Sequence, residues 1–166
     1  DLELAKSVVS RDNESNRLYF LLVRTLRTII QNPQLSEKLG ITPIECLDYR
    51  LAASLIEGIG DACVQVASST IALNGIKLSE DLRRLLIELQ SLCCEATEKA
   101  LKAFLTKDIS LAEDVRELHK EVEKKYSAIE EAAKESSVDL MPQILSDMSF
   151  LKQVYERSVD MADLVV

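Results

Sequence analysis

Two pairs of acids, Glu57 with Asp61 and Glu156 with Asp160, stand four residues apart in helix-like stretches and are the side chains best placed for chemistry. Residues at i and i+4 lie on one helix face. Two helices side by side, each carrying such a pair, offer four oxygen-bearing groups to a hard or borderline cation. The plainer use of the same acids is a solvated face, with Arg50 or Arg157 neutralising its neighbours in ion pairs. Around Glu57 and Asp61 the helical period collects Arg50, Ser54 and Ser68, a small and polar stripe; around Glu156 and Asp160 it collects Ser149, Lys152 and Asp163. Gly58 and Gly60 interrupt the first of these helices, where each costs about 1 kcal/mol relative to alanine. Simple close packing of a neighbouring helix, or room for a ligand, would account for them.

Several other chemistries have no support. No nucleophile stands at a recognisable spacing from a base, no glycine-rich loop could cradle phosphate, and no Glu-x-x-His pair suggests a di-iron bundle. The chain carries a formal net charge of −8 with no lysine and arginine block to offset it. That balance argues against nucleic acid and anionic lipid through this segment, and in favour of a cation or a partner with a basic patch. The longest unbroken apolar run, Leu18 to Val23, is too short to cross a bilayer, so membrane association is expected only through a partner. Four cysteines, Cys46, Cys63, Cys93 and Cys94, form no C-x-x-C pair and are expected to be reduced and buried in a cytoplasmic protein.

The elements that must carry these residues are helices. With 47% apolar and 29% charged residues the chain can bury a core. Its punctuation is sharp. Asn32-Pro33 ends a first helix, and Gly40 closes a short turn over Ser36 to Leu39. Thr42-Pro43-Ile44-Glu45 opens the next helix with an N-cap, a first-turn proline and a capping-box glutamate. Further breaks fall at Asn74-Gly75, at Lys107 to Ser110 and at Ser136 to Asp139. Helices are predicted near 1–31, 43–74, 79–107, 109–135 and 139–164, and strand-like alternation persists nowhere.

The helices repeat. A shift of 107 places Asp1, Leu4, Ala5, Val8 and Tyr19 on Asp108, Leu111, Ala112, Val115 and Tyr126. A shift of 99 places Pro43, Asp48, Glu57 and Asp61 on Pro142, Asp147, Glu156 and Asp160. The second copy is preceded by the 79–107 helix; the first has no counterpart. We therefore expect an incomplete first repeat over 1–75, of two helices, and a complete three-helix repeat over 79–166. Two helices alone bury little, so the missing helix is expected upstream, or another subunit in its place.

The stretch Leu55-Ile56-Glu57-Gly58-Ile59-Gly60-Asp61-Ala62 resembles the signature helix of the PhoU family, with Tyr155-Glu156-Arg157-Ser158-Val159-Asp160 as its second copy. Nearly the whole chain is similar, from the second to the sixth family helix, and Asn16 to Arg24 looks especially like archaeal members. The resemblance implies an all-α fold of tandem three-helix bundles, the first lacking its first helix. It implies a non-enzymatic regulator of phosphate uptake that works by contact with a phosphate ABC transporter or a sensor kinase, and a homo-oligomer. Some members bind multinuclear iron or zinc through carboxylate pairs. Here the implied metal set is Asp12, Asn16, Glu57 and Asp61 in the first copy and His119, Glu123, Glu156 and Asp160 in the second. Asn16 replaces a carboxylate, and Ala62 stands where many members have histidine or a polar residue. The stripe that carries Asp12 and Asn16 also carries Val8, Tyr19, Val23 and Ile30, so these polar groups are expected against a neighbour. The plainer use of His119 is an ordinary helix surface. A structural or oligomerising helical domain attached to another module is the alternative function.

Overall fold

The computed structural model describes residues 1–134 and 140–165, and within them every regular element is an α-helix. Eight helices follow in order: α1 (Leu2–Ser10), α2 (Asp12–Gln31), α3 (Pro33–Leu39), α4 (Pro43–Ala72), α5 (Glu80–Thr106), α6 (Ile109–Glu117), α7 (His119–Ala133) and α8 (Met141–Ala162). The all-α fold and the two PhoU-type repeats are as the sequence implied. The predicted break over Ser136 to Asp139, and the helix ends set at 135 and 139, lie outside the described residues.

Local chemistry starts and stops these helices as the sequence foretells. Thr42 and Glu45 close a full capping box, the Glu45 carboxylate accepting from the Thr42 amide at 2.8 Å. Gly40 ends α3 at φ 66°, the left-handed conformation that glycine adopts without a Cβ penalty. The duplication is visible in the caps themselves. Asp1 accepts from the amides of Glu3 and Leu4, and Asp108 accepts from those of Ser110 and Leu111. Each cap opens a nine-residue helix.

Those two helices then break, which the hydrophobic period did not announce. The expected continuous helices over 1–31 and 109–135 are interrupted at Arg11 and Leu118, positions again 107 apart. Neither break holds a proline or glycine. The backbone tightens instead: the amides of Glu14 and Ser15 both reach the Arg11 carbonyl, as those of Glu121 and Val122 both reach that of Leu118. The first residue beyond each break is a candidate site residue, Asp12 in one copy and His119 in the other.

Packing makes the repeats unequal. Helices α5, α6–α7 and α8 form a three-helix bundle around Leu89, Cys93, Val115, Val122, Ile129, Met148 and Met161, all fully buried. In the first repeat α1–α2 lies along α4, with only Leu26, Ile29 and Cys46 as a separate small core. Helix α4 gives its other face, Ala52, Ile59 and Ala62, to the main core. The asymmetry shows at matched positions: Val122 and Ile129 are buried, whereas Ser15 and Leu22, their counterparts by the shift of 107, are exposed. Ile30, expected on the packed stripe, is 41% exposed as well.

Contacts between α4 and α8 pair Gly58 with Arg157 and Ser69 with Asp147, so the two helices run antiparallel. By length and composition α4 is long and apolar enough to cross a bilayer, although no unbroken apolar run is. In this fold it packs against α1, α2 and α8. The cysteines also differ from expectation. All four are free, but only Cys46 and Cys93 are buried; Cys63 and Cys94 are exposed.

Candidate functional site

The break at Arg11 restarts the helix, and Asp12 and Asn16 are half-buried on the first turns of α2, which packs against α4. The Asn16 amide donates to Asp12 at a long 3.5 Å. On α4, Glu57 is half-buried and Asp61 exposed. Burial raises the Glu57 carboxyl above the usual range; Asp61 and Asp12 push it the same way, and Arg157 opposes them. These four side chains thus form one local charge cluster.

The two glycines of the signature helix do different things. A Cβ at Gly58 would lie 2.6 Å from Nε and 2.9 Å from Cζ of Arg157, so the missing side chain is the space in which the guanidinium rests. A Cβ at Gly60 would meet only the Ser15 hydroxyl, at 3.5 Å, an ordinary contact. Beside Gly60 an open groove of about 340 Å³ runs between the α1–α2 break and α4, lined among others by Val8, Arg11, Asp12 and Cys63.

In the second repeat the matching positions are built otherwise. His119, exposed at the start of α7, stacks on the Tyr155 ring with centroids 6.3 Å apart. The Tyr155 hydroxyl donates to the Val115 carbonyl at 3.1 Å, fixing the ring. Glu123 pairs with Lys152 at 3.5 Å, and the same ammonium lies 5.2 Å from the centre of the Tyr126 ring. Glu156 and Asp160 are exposed on α8. Arg116 braces this end of the bundle, joining Asp163 at 2.7 Å and Glu113 at 2.7 Å.

Between the repeats lies a polar contact. The Ser69 hydroxyl donates to one oxygen of Asp147 at 2.7 Å and accepts from the Gln143 amide at 2.7 Å. The other Asp147 oxygen is buried without a partner among the described residues. Burial raises the Asp147 carboxyl, against the hydrogen bond from Ser69 and the pull of the nearby Gln143 amide.

Iron or zinc requires several donors converging on one point. Among the described residues no three His, Cys, Asp or Glu side chains do so. Glu57 lies within the influence of Arg157, Glu123 is paired with Lys152, and His119 is stacked on Tyr155. As arranged, the residues do not fit a multinuclear centre. The basic residues answering these acids, Arg157 and Lys152, both come from α8. The shift of 99 that aligns the acids also sets Arg157 on Gly58, and that was the available signal.

The family model for the PhoU domain matches residues 1–70 and 86–164. One stretch takes in α1 to α3 and nearly all of α4; the other takes in most of α5 and then α6 to α8. Among curated proteins none matches the chain significantly.

Proposed function

The chain belongs to the PhoU family, a helical family of phosphate-homeostasis regulators, and on that premise we propose that it regulates phosphate uptake by direct contact with a phosphate ABC transporter or a sensor kinase. The observation that carries the reading is the pair of family-matching stretches, which together span nearly the whole chain. Its exposed helix faces suit a contact function. Leu18, Phe20 and Leu21 on α2, and Ile44, Leu47 and Leu51 on α4, are each more than half exposed. The acidic balance favours a partner with a basic patch. In this reading the protein is cytoplasmic, meets the membrane only through its partner, and catalyses no reaction. It does not need iron or zinc.

A second reading, a structural or oligomerising helical domain, is favoured by the same apolar faces, because a second copy could cover them. Affinity purification of the tagged protein from its native cells, followed by mass measurement of the purified chain in solution, separates the two. Recovery of transporter or kinase components, lost when Leu47 and Leu51 are changed to serine, supports the regulator. Self-association with no such component recovered supports the second reading and removes the first.

A further inference from the structure

Helix α4 runs past α8 with Gly58 beneath Arg157. The guanidinium lies within 2.9 Å of where a Gly58 Cβ would be. That position is next to Glu57 in the chain and three residues from Asp61, whose side chains share that turn of helix. Asp12 approaches from α2 and acts on the same Glu57 carboxyl. Arg157 has one hydrogen bond of its own, to Gln153 at 3.3 Å, and forms no ion pair shorter than 4.0 Å with any described carboxylate. Its charge acts on the Glu57 carboxyl from beyond ion-pair distance. A guanidinium keeps its charge at every physiological pH and is more weakly hydrated than an ammonium, which suits a half-buried place among carboxylates.

We propose that Arg157 is the built-in counter-ion of the Asp12–Glu57–Asp61 cluster, and that it holds the place a divalent cation would otherwise take. Two features of the chain make this arrangement. Residue 58 lacks a side chain, so the arginine can lie against the α4 backbone. Asn16 adds no fourth carboxylate, so a single positive charge offsets more of the cluster. The cluster is then a partly neutralised joint between the repeats, and its occupant is covalently part of α8. The inference goes beyond the partner-contact reading and does not rest on it.

The test uses Mn²⁺, an oxygen-seeking ion that avoids the exposed thiols. Its binding is followed by calorimetry and by the loss of the free-ion electron-spin signal. The proteins are the wild-type chain, Arg157→Gln, and Arg157→Gln combined with Glu57→Gln and Asp61→Asn. Removing one positive charge beside a divalent ion is expected to tighten Mn²⁺ binding by about tenfold or more in Arg157→Gln. The gain should vanish in the triple variant, and wild-type binding should be indifferent to Glu57→Gln and Asp61→Asn. Gly58→Ala keeps the arginine but takes away its niche; it should shift affinity in the same direction by less, and it carries the test if Arg157→Gln does not fold. Tight wild-type Mn²⁺ binding that is lost in Asp61→Asn would overturn the proposal, as would an arginine variant that folds and binds Mn²⁺ no better than wild type.

Discussion

The Ser69 hydroxyl donates to the Asp147 carboxylate at 2.7 Å, across the contact between α4 and α8, and leaves the second Asp147 oxygen buried and without a partner among the described residues. Its neighbours in this contact, Ser69 and Gln143, are neutral. The folded-state pKa is therefore raised, and the sign follows: this group favours the fold below its unfolded value of about 3.9, and that contribution is lost as pH climbs through the folded value. Asp147→Asn cannot ionise. At pH 7 it is expected to be at least as stable as wild type, by up to about 1–2 kcal/mol, with the advantage gone near pH 4. Urea denaturation at several pH values measures this, and a variant clearly weaker at pH 7 contradicts it.

Gly60→Ala should stabilise the protein by about 0.5–1 kcal/mol, the gain in helix propensity, because a Cβ there meets Ser15 at an ordinary distance. Gly58→Ala gains the same propensity but must push the end of a flexible arginine aside. Its net effect should fall below that of Gly60→Ala. Thermal melts of the two variants give the comparison, and equal gains would mean that Arg157 moves at no cost.

The matched positions Leu22 and Ile129 provide a direct measure of how unequal the repeats are. Ile129 is fully buried and Leu22 is 39% exposed. Ile129→Ala should cost about 2–5 kcal/mol, because it leaves a cavity. Leu22→Ala should cost less than about 1 kcal/mol, since little packing is lost. Chemical denaturation of both variants decides it; similar losses would show that something covers Leu22 in solution.

Thiol labelling of the native protein should modify Cys63 and Cys94 and spare Cys46 and Cys93. Burial raises all four thiols, and Cys93 to about 12, so even the exposed pair should react slowly near neutral pH. Mass spectrometry after timed quenching reads the count. Fast labelling of Cys93 would place it outside the packed core.

Much of this fold could be read from the residues, because its boundaries are set by local chemistry. Thr42 and Gly40 act through groups within a few residues of themselves, and their roles are as the sequence implies. The breaks at Arg11 and Leu118 were not legible, since neither proline nor glycine marks them and the apolar period runs through. At the candidate site the acids were legible as repeated letters. What they face was not: Arg157 and Lys152 come from α8, and their meeting with Glu57 and Glu123 depends on how distant helices cross. Burial failed as an expectation at Cys63 and Cys94 for the same reason, because which side of a helix stays open is a tertiary fact.

At the crossing of α4 and α8, one repeat position faces itself, as glycine on one side and arginine on the other. Two identical halves could not make that join: a pair of arginines would set like charges together, and a pair of glycines would leave an empty slot. Lock and key have been cast from one mould and then cut differently. Neither half can stand in for the other, and a protein assembled from two copies of the same half would lose the fit that closes this one.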